Sequence, residues 1–288
     1  MMLRLHHHGY PLDELCAAFG VSRSGYYAHL HKPERPRRRE DRQLRPQIAR
    51  AFEESRGTYG TPRLRAVLRR GGPQLSRARI ARLMRELGLQ PLQKRSFIPR
   101  TTIADPAASP APNLLLSRPT PARPDEVWVT DITYIPTQSG WLYLAAVMDL
   151  HSRRILGWAT ADHLRTELVT DALHRARSTR AGRDLSGTIL HSDRGTQYTS
   201  AECRRTLDLL RMTQSMSRTA NCYDNATMES FWASLKTEAF RSIPASHTEA
   251  RLRIHDYIDA FYNPRRLHSS LSFQSPLDFE SSLRHSLN

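Results

Sequence analysis

The chain has 288 residues, 39% of them hydrophobic, and carries a formal net charge of +15. That length suits two domains, or one large domain with an appendage. No apolar run reaches the ~18 residues of a membrane span, and no charged start leads into an apolar stretch and a small-residue cleavage site, so neither a transmembrane helix nor a secretory leader is expected. The three cysteines, Cys16, Cys203 and Cys222, lie far apart with no CxxC or metal-ligand spacing, and read as reduced thiols. The triplet His6 to His8 has only Cys16 nearby and reads as a solvated or tag-like tract.

The charge is uneven. Residues 1–120 hold 23 Lys and Arg against 9 Asp and Glu, whereas 121–288 hold 20 against 19. A basic N-terminal part joined to a near-neutral body suggests an arm that holds a polyanion and a body that acts on it.

In chain order, "YPLDELCAAFGVSRSGYYAHL" reads as a short helix-turn-helix over 1–31. Leu12, Leu15, Ala18 and Phe19 have helical spacing, Gly20 stops the first helix and Ser22 caps the second. A charged, proline-containing linker is expected over 32–43, then a helical DNA-binding region over 44–100. In its last helix Ser76 is the N-cap and Ile80, Leu83, Met84 and Leu87 form the apolar stripe. The other face carries Arg77, Arg79, Arg82 and Arg85, which this helix alone leaves open between a solvated face and a phosphate-contacting one. The charge of the whole arm favours the second. Six prolines from Pro106 to Pro124 mark a linker over 101–124 and the main boundary.

Over 125–282 the pattern changes. "VWVTDITYI" alternates, with Val127, Val129, Asp131, Thr133 and Ile135 on one strand face. Two further strands are expected over 142–149 and 154–160, with a tight turn at "HSRR". Then come a helix over 165–177, a buried strand "GTILHSD", a loop, a helix over 200–210, a short strand over 212–215, and the helix of "NCYDNATMESFWASLKTEAF". Three strands in a meander followed by alternating helix and strand predict a mixed sheet with helices on its faces.

Three acids stand out. Asp131 sits within an apolar and Thr-rich strand, where an unpaired carboxylate is costly. Asp193 ends a strand, where sites gather in α/β sheets. Glu229 lies in the first turns of a helix that buries Met228, Phe231, Trp232 and Leu235, while Asp224 and Glu238 read as start-of-helix and surface acids. Brought together, the three would form an all-oxygen site selecting Mg²⁺ or Mn²⁺ over zinc. Each alone is weak evidence, since a lone Asp at a strand end is more often a cap or turn residue.

"TDITYI", "HSDRGTQYTS" and "DNATMESFWASLKTE" resemble the DDE transposases and retroviral integrases. With "MDLHSRRILGWA", "DYIDAFYNPRRLHSSLSFQSPLDFE", "SRGTYGTPRLRAVLRR" and "GVSRSGYYAHL", nearly the whole chain resembles the second-frame product of the insertion-sequence-three family of bacterial transposases. The resemblance implies an α/β RNase H-like core with a five-stranded mixed sheet, behind an all-α helix-turn-helix region. It implies Asp131, Asp193 and Glu229 as catalytic metal ligands for two Mg²⁺ or Mn²⁺ ions with DNA bound. It implies cleavage and strand transfer at the element ends, which are first joined into a circle. Lys236, seven residues after Glu229 on the same helix face, is implied as a DNA contact. Arg194, expected as a further DNA contact, surrounds the second aspartate with His191, Gln197 and Tyr198; these shape the site or, for His191 and Tyr198, serve structure. Asn225 reads as a helix N-cap or a residue lining the site.

The implied partners are double-stranded DNA (inverted repeats and target), further copies of the chain, and the upstream-frame product. The implied location is the bacterial cytoplasm, at the nucleoid. Where the family has Gly and an aromatic, this chain has Ser272 and Phe273. It also has no sustained heptads and no HHCC zinc module. A non-catalytic DNA-binding relic and a simple RNase H-like nuclease are the rival readings.

Overall fold

The computed structural model describes residues 1–31, 35–72, 74–93, 111–116, 120–217 and 226–285. Cys222, Asp224, Asn225 and much of the proline-rich linker lie outside them.

Helices α1 (Met2–His7), α2 (Leu12–Phe19) and α3 (Arg23–Leu30) form a small N-terminal unit. Gly20 ends α2 at φ 62°, and the Ser22 hydroxyl caps α3 by accepting from the Gly25 amide at 3.0 Å. Its buried core is Leu12, Cys16 and Tyr26; Phe19, expected on the apolar stripe, is 40% exposed.

Next come α4 (Pro36–Glu54), α5 (Thr61–Arg69) and α6 (Arg77–Glu86). The expected linker over 32–43 is therefore helical from Pro36 onward. Pro36 stands in the first turn, where its missing N–H costs nothing. The charge in this stretch is also partly compensated from a distance: buried Asp41 accepts from Arg79 Nε at 2.8 Å and Arg82 Nη2 at 2.5 Å, tying α4 to α6. Burial alone would raise the Asp41 carboxyl, but these bonds outweigh it and hold it below the usual range.

The sheet contains β1 (Val127–Thr137), β2 (Gly140–Asp149), β3 (Ile155–Ala161), β4 (Ile189–Ser192) and β5 (Thr213–Met216), ordered β3-β2-β1-β4-β5. The meander β1-β2-β3 is antiparallel; β1, β4 and β5 are parallel. One face packs on α7 (Thr166–Thr179) and α9 (Ala201–Leu209), which follows the short α8 (Thr196–Thr199). Helix α7 crosses β3 at backbone contact, since a Cβ on Gly157 would lie 2.3 Å from the Ala172 carbonyl oxygen.

The other face packs on α10 (Ala226–Ala239) and α11 (His247–Tyr257), which runs into a π-turn, Ile258–Tyr262. The same hydrophobic cluster takes in Ile48, Leu64, Ile80 and Leu83 from α4, α5 and α6. The seam is also polar. Tyr59 Oη donates to the Arg265 carbonyl oxygen at 3.0 Å and accepts from the Leu267 amide at 2.8 Å, while Arg56 Nη2 reaches Asp256 Oδ1 at 3.0 Å.

Helix α12 (Pro276–His285) closes the base through a buried ionic network. Arg180, 2% exposed, donates to Asp125 Oδ1 at 2.7 Å and with two nitrogens to Glu280, which also accepts from Arg154 at 2.8 Å and Ser152 at 2.7 Å. Burial alone would raise the Glu280 carboxyl; the Arg180 and Arg154 bonds hold it at about 2.

Two outcomes follow. Glu280's native pKa lies below its unfolded value of ~4.3, so its stabilisation is present above that pH and lost as pH falls toward 2. Glu280→Gln leaves Arg180 buried with half its partners, lowers stability by about 3–5 kcal/mol, and flattens the fall in Tm between roughly pH 4.5 and pH 2. Ser272 (φ 51°) and Phe273 (φ 59°) both hold left-handed backbone, so Ser272→Gly raises stability by about 0.5–1 kcal/mol, read in urea melts.

Candidate active site

The site begins where two parallel strands part. β1 and β4 pair only at Val127 with Ile189, Trp128 with Leu190, and Val129 with His191. Side chains two residues on share a strand face. Asp131 and Asp193 are each two residues past that last pair, so the register sends both toward the crevice where the strands separate. Strand ends of this kind are where open α/β sheets leave room for ligands.

Asp131 is fixed by two bonds. Its Oδ1 accepts from the Ile132 amide at 2.8 Å and its Oδ2 from the Trp232 indole of α10 at 2.9 Å. Asp193 Oδ1 accepts from the Gly195 amide at 3.0 Å. A Cβ on Gly195 would lie 3.1 Å from that same oxygen and 3.0 Å from Gln197 Oε1, so a side chain there would crowd both groups. Glu229 is exposed in the first turn of α10, and the helix is pinned there by Arg153 Nη1, which donates to Thr227 Oγ1 at 2.5 Å.

The electrostatics join the three acids. Burial pushes the Asp131 carboxyl up to about 7; Asp193's negative charge adds to this and Glu229's adds less, against the bonds from Trp232 and Ile132. The acids are within electrostatic reach, yet among the described residues no three His, Cys, Asp or Glu side chains stand close enough to enclose one metal ion. The donor set is nevertheless all oxygen, and the Asp131 pKa is raised first by burial and then by Asp193's negative charge. Both fit a hard divalent cation.

Lys236 stands over Tyr134, its ammonium 4.8 Å from the ring centroid; burial lowers its pKa and Asp131's charge opposes that shift. Arg194 Nε donates to the Ser217 carbonyl oxygen at 2.8 Å. His191 and Gln197 are buried: His191 Nδ1 bonds Ser215 Oγ at 2.9 Å, and Gln197 Nε2 donates to the Leu164 carbonyl oxygen at 3.2 Å. Tyr198 is buried beneath the site, its hydroxyl 3.5 Å from Thr130 Oγ1, and burial with the charges of Asp131 and Asp193 keeps its phenol well above the usual pKa. Asn225 lies outside the described residues.

Two sets of side chains gain partners that only folding supplies. Arg79 and Arg82, read as phosphate contacts with Arg77 and Arg85, are held by carboxylates: Arg79 by Asp41 and Glu40, Arg82 by Asp41 and Glu86. Arg77 and Arg85 remain exposed. Glu238, read as a surface acid, accepts from Arg266 Nε and Tyr257 Oη, both at 2.8 Å, and anchors the far end of α10. Sequence reasoning missed Trp232 as Asp131's donor, although it falls three residues after Glu229 on one helix face. Nothing in the sequence signalled Arg153.

No helix among the described residues is long and apolar enough to cross a membrane. Residues 38–97 match the HTH-like domain family, and residues 121–222 and 210–276 match two Integrase core domain families. Over 266 residues the chain is 41% identical to the insertion element IS600 uncharacterized 31 kDa protein of Shigella sonnei, covering 92% of this chain and 97% of that one. It is 37% identical to the transposase for insertion sequence element IS904 of Lactococcus lactis, across 82% of this chain and 93% of the relative. It is 34% identical to the transposase InsF for insertion sequence IS3A of Escherichia coli, across 98% of both. A chain of the simian T-cell lymphotropic virus intasome shares 13% identity at a TM-score of 0.47, over 81% of this chain and 74% of that one. With identity at this level along nearly its whole length, the protein belongs to the insertion-sequence-three family of insertion-element transposases, built on an integrase core domain.

Proposed function

We propose that the chain cuts and joins DNA strands at the ends of its element, with Asp131, Asp193 and Glu229 holding divalent cations, Mg²⁺ or Mn²⁺. The observation that carries this reading is the pair of in-register aspartates at the β1–β4 parting, one with its pKa raised to about 7 by burial and by the other's charge. Two bound ions would supply activation of the attacking oxygen and neutralisation of the leaving one.

The chain's own part is orientation. The Trp232 and Ile132 donors fix the plane of the Asp131 carboxylate, and the Gly195 amide fixes Asp193. Arg153 at one end of α10 and Arg266 at the other, through Glu238, hold the helix that carries Glu229 and Lys236. With water attacking phosphorus, the bond to the 3′ oxygen breaks and that oxygen takes a proton, leaving a nick. With a DNA 3′-hydroxyl attacking, its proton is lost and a new phosphodiester forms as the old one breaks. Arg77 and Arg85, exposed on α6, and Lys236 and Arg194, near the crevice, are the DNA contacts of this reading. Two ends must be held together, so further copies of the chain and the upstream-frame product are its partners, at the bacterial nucleoid.

The three acids do not close around one ion, and that openness favours a second reading: a DNA-binding chain without turnover. One assay separates them. Purified protein, with and without the upstream-frame product, is given DNA carrying the element ends and Mg²⁺. Nicked and joined products are expected, falling about 10³-fold or more in Asp131→Asn, Asp193→Asn and Glu229→Gln. Binding without products in either condition would favour the second reading.

The Asp131 pKa gives a pH dependence. A cation must displace its proton below pH ~7, so Mn²⁺ affinity by titration calorimetry falls up to about tenfold per pH unit below that point. Because the native pKa is raised, Asp131's contribution to stability is full below the unfolded value of ~3.9 and lost as pH rises through about 7. Asp131→Asn without metal is therefore more stable than wild type at pH 8, by about 1–3 kcal/mol, and Mn²⁺ narrows the gap. Equal Tm values at pH 8 would contradict this.

A further inference from the structure

The β1–β2 hairpin carries an indole into solvent. Trp141 is 52% exposed, although Leu142 beside it is fully buried. An exposed tryptophan by itself calls for no explanation. This one is held in place. Its ring meets Tyr134 edge-on, with centroids 5.1 Å apart and planes at 90°. The Lys236 ammonium lies 4.8 Å from the centroid of the same Tyr134 ring. The turn beneath is braced by Thr137 Oγ1 donating to the Gly140 carbonyl oxygen at 2.6 Å, and by the Gln138 amide donating to the Pro244 carbonyl oxygen at 2.9 Å. Trp141's cross-strand partner is Pro136, which is exposed and has no N–H to offer another strand.

These groups share elements with the candidate active site. Tyr134 and Pro136 are on β1 with Asp131 but on the other strand face, and the link to the site is Lys236, on α10 with Glu229, which stands over the Tyr134 ring and within reach of the Asp131 charge. Pro136 is five residues past Asp131, roughly 17 Å along an extended strand. Stacked DNA advances about 3.4 Å per nucleotide on each strand, so that span equals about five nucleotides. A rigid aromatic pair with a cation beside it suits a ligand that has both a flat π-face and a negative charge, which is the chemistry of a nucleotide.

We propose that Trp141, backed by Tyr134 and flanked by Lys236, is a stacking platform for an unpaired nucleobase of the DNA strand leaving the active site, five nucleotides or fewer from the reacting phosphate. The proposal rests on the reading of Asp131, Asp193 and Glu229 as the place where phosphodiester bonds react. It adds a contact that tolerates any base, because every base has a π-face.

The test is a binding measurement that needs no turnover. Full-length protein is mixed, in EDTA, with an element-end duplex carrying a five-nucleotide single-stranded tail with 2-aminopurine, and with the blunt duplex. Wild type is expected to bind the tailed DNA more tightly and to quench the 2-aminopurine. Trp141→Ala weakens tailed binding about tenfold or more, abolishes the quench, and leaves blunt binding unchanged; Trp141→Phe keeps most of both. Trp141→Leu, which keeps apolar bulk without a π-face, replaces the alanine variant should that one melt early. Tailed binding and quench equal to wild type in the alanine or leucine variant would overturn the proposal. So would an equal loss on tailed and blunt DNA, which marks a general contact. Cleavage lost in Asp131→Asn with stacking independent of Trp141 sinks this inference alone. Trp141-dependent stacking in a chain that never cleaves leaves the platform standing and sinks the activity.

Discussion

The parting of β1 and β4 is the constraint on which the site depends. Three residue pairs zip the parallel strands as far as Val129 and His191. Beyond them the backbones separate, and the next side chains on that face are Asp131 and Asp193. The charge this accumulates is costly, as the raised Asp131 carboxyl shows. The fold tolerates it through a few directed donors, the Ile132 and Gly195 amides and the Trp232 indole. Crowding carboxylates in this way costs stability wherever they are ionised.

The helix that brings Glu229 to this crevice is held at both ends by arginines from other parts of the chain. Arg153 grips Thr227 near its start and Arg266 grips Glu238 near its end. Between them Phe231 and Trp232 pack against each other, 4.8 Å between ring centroids, and Phe231 meets Tyr262 edge-on at 4.9 Å. The carboxylate therefore rides on a helix whose orientation is fixed by packing and by buried polar bonds, which is what positional precision at a reactive site requires.

The HTH-like helices do not stand apart from this core. Their apolar residues join the cluster beneath α10 and α11, and Tyr59 bonds the backbone at Arg265 and Leu267. Apolar burial across a shared seam couples the two parts mechanically.

Much of this was legible in the sequence. The alternation of "VWVTDITYI" marked β1 because one face of a strand repeats every second residue. Ser22 and Ser76 marked helix starts because their hydroxyls satisfy amides three residues on. Asp131, Asp193 and Glu229 stood out as acids in apolar or strand-end settings, and the motifs around them indicated the family. What the sequence could not decide is which charges are compensated. Arg79 and Arg82 look as available as Arg77 and Arg85, and Glu238 looks as solvated as any helix acid. Their partners Asp41 and Arg266 lie about 30 to 40 residues away in the chain, as Arg153 lies 74 residues from Thr227. Local pattern fixes periodicity and caps, because those are interactions between near neighbours in the chain. Register between strands, the burial of an ion pair and the exposure of Trp141 depend on distant segments meeting, and only the tertiary structure decided them.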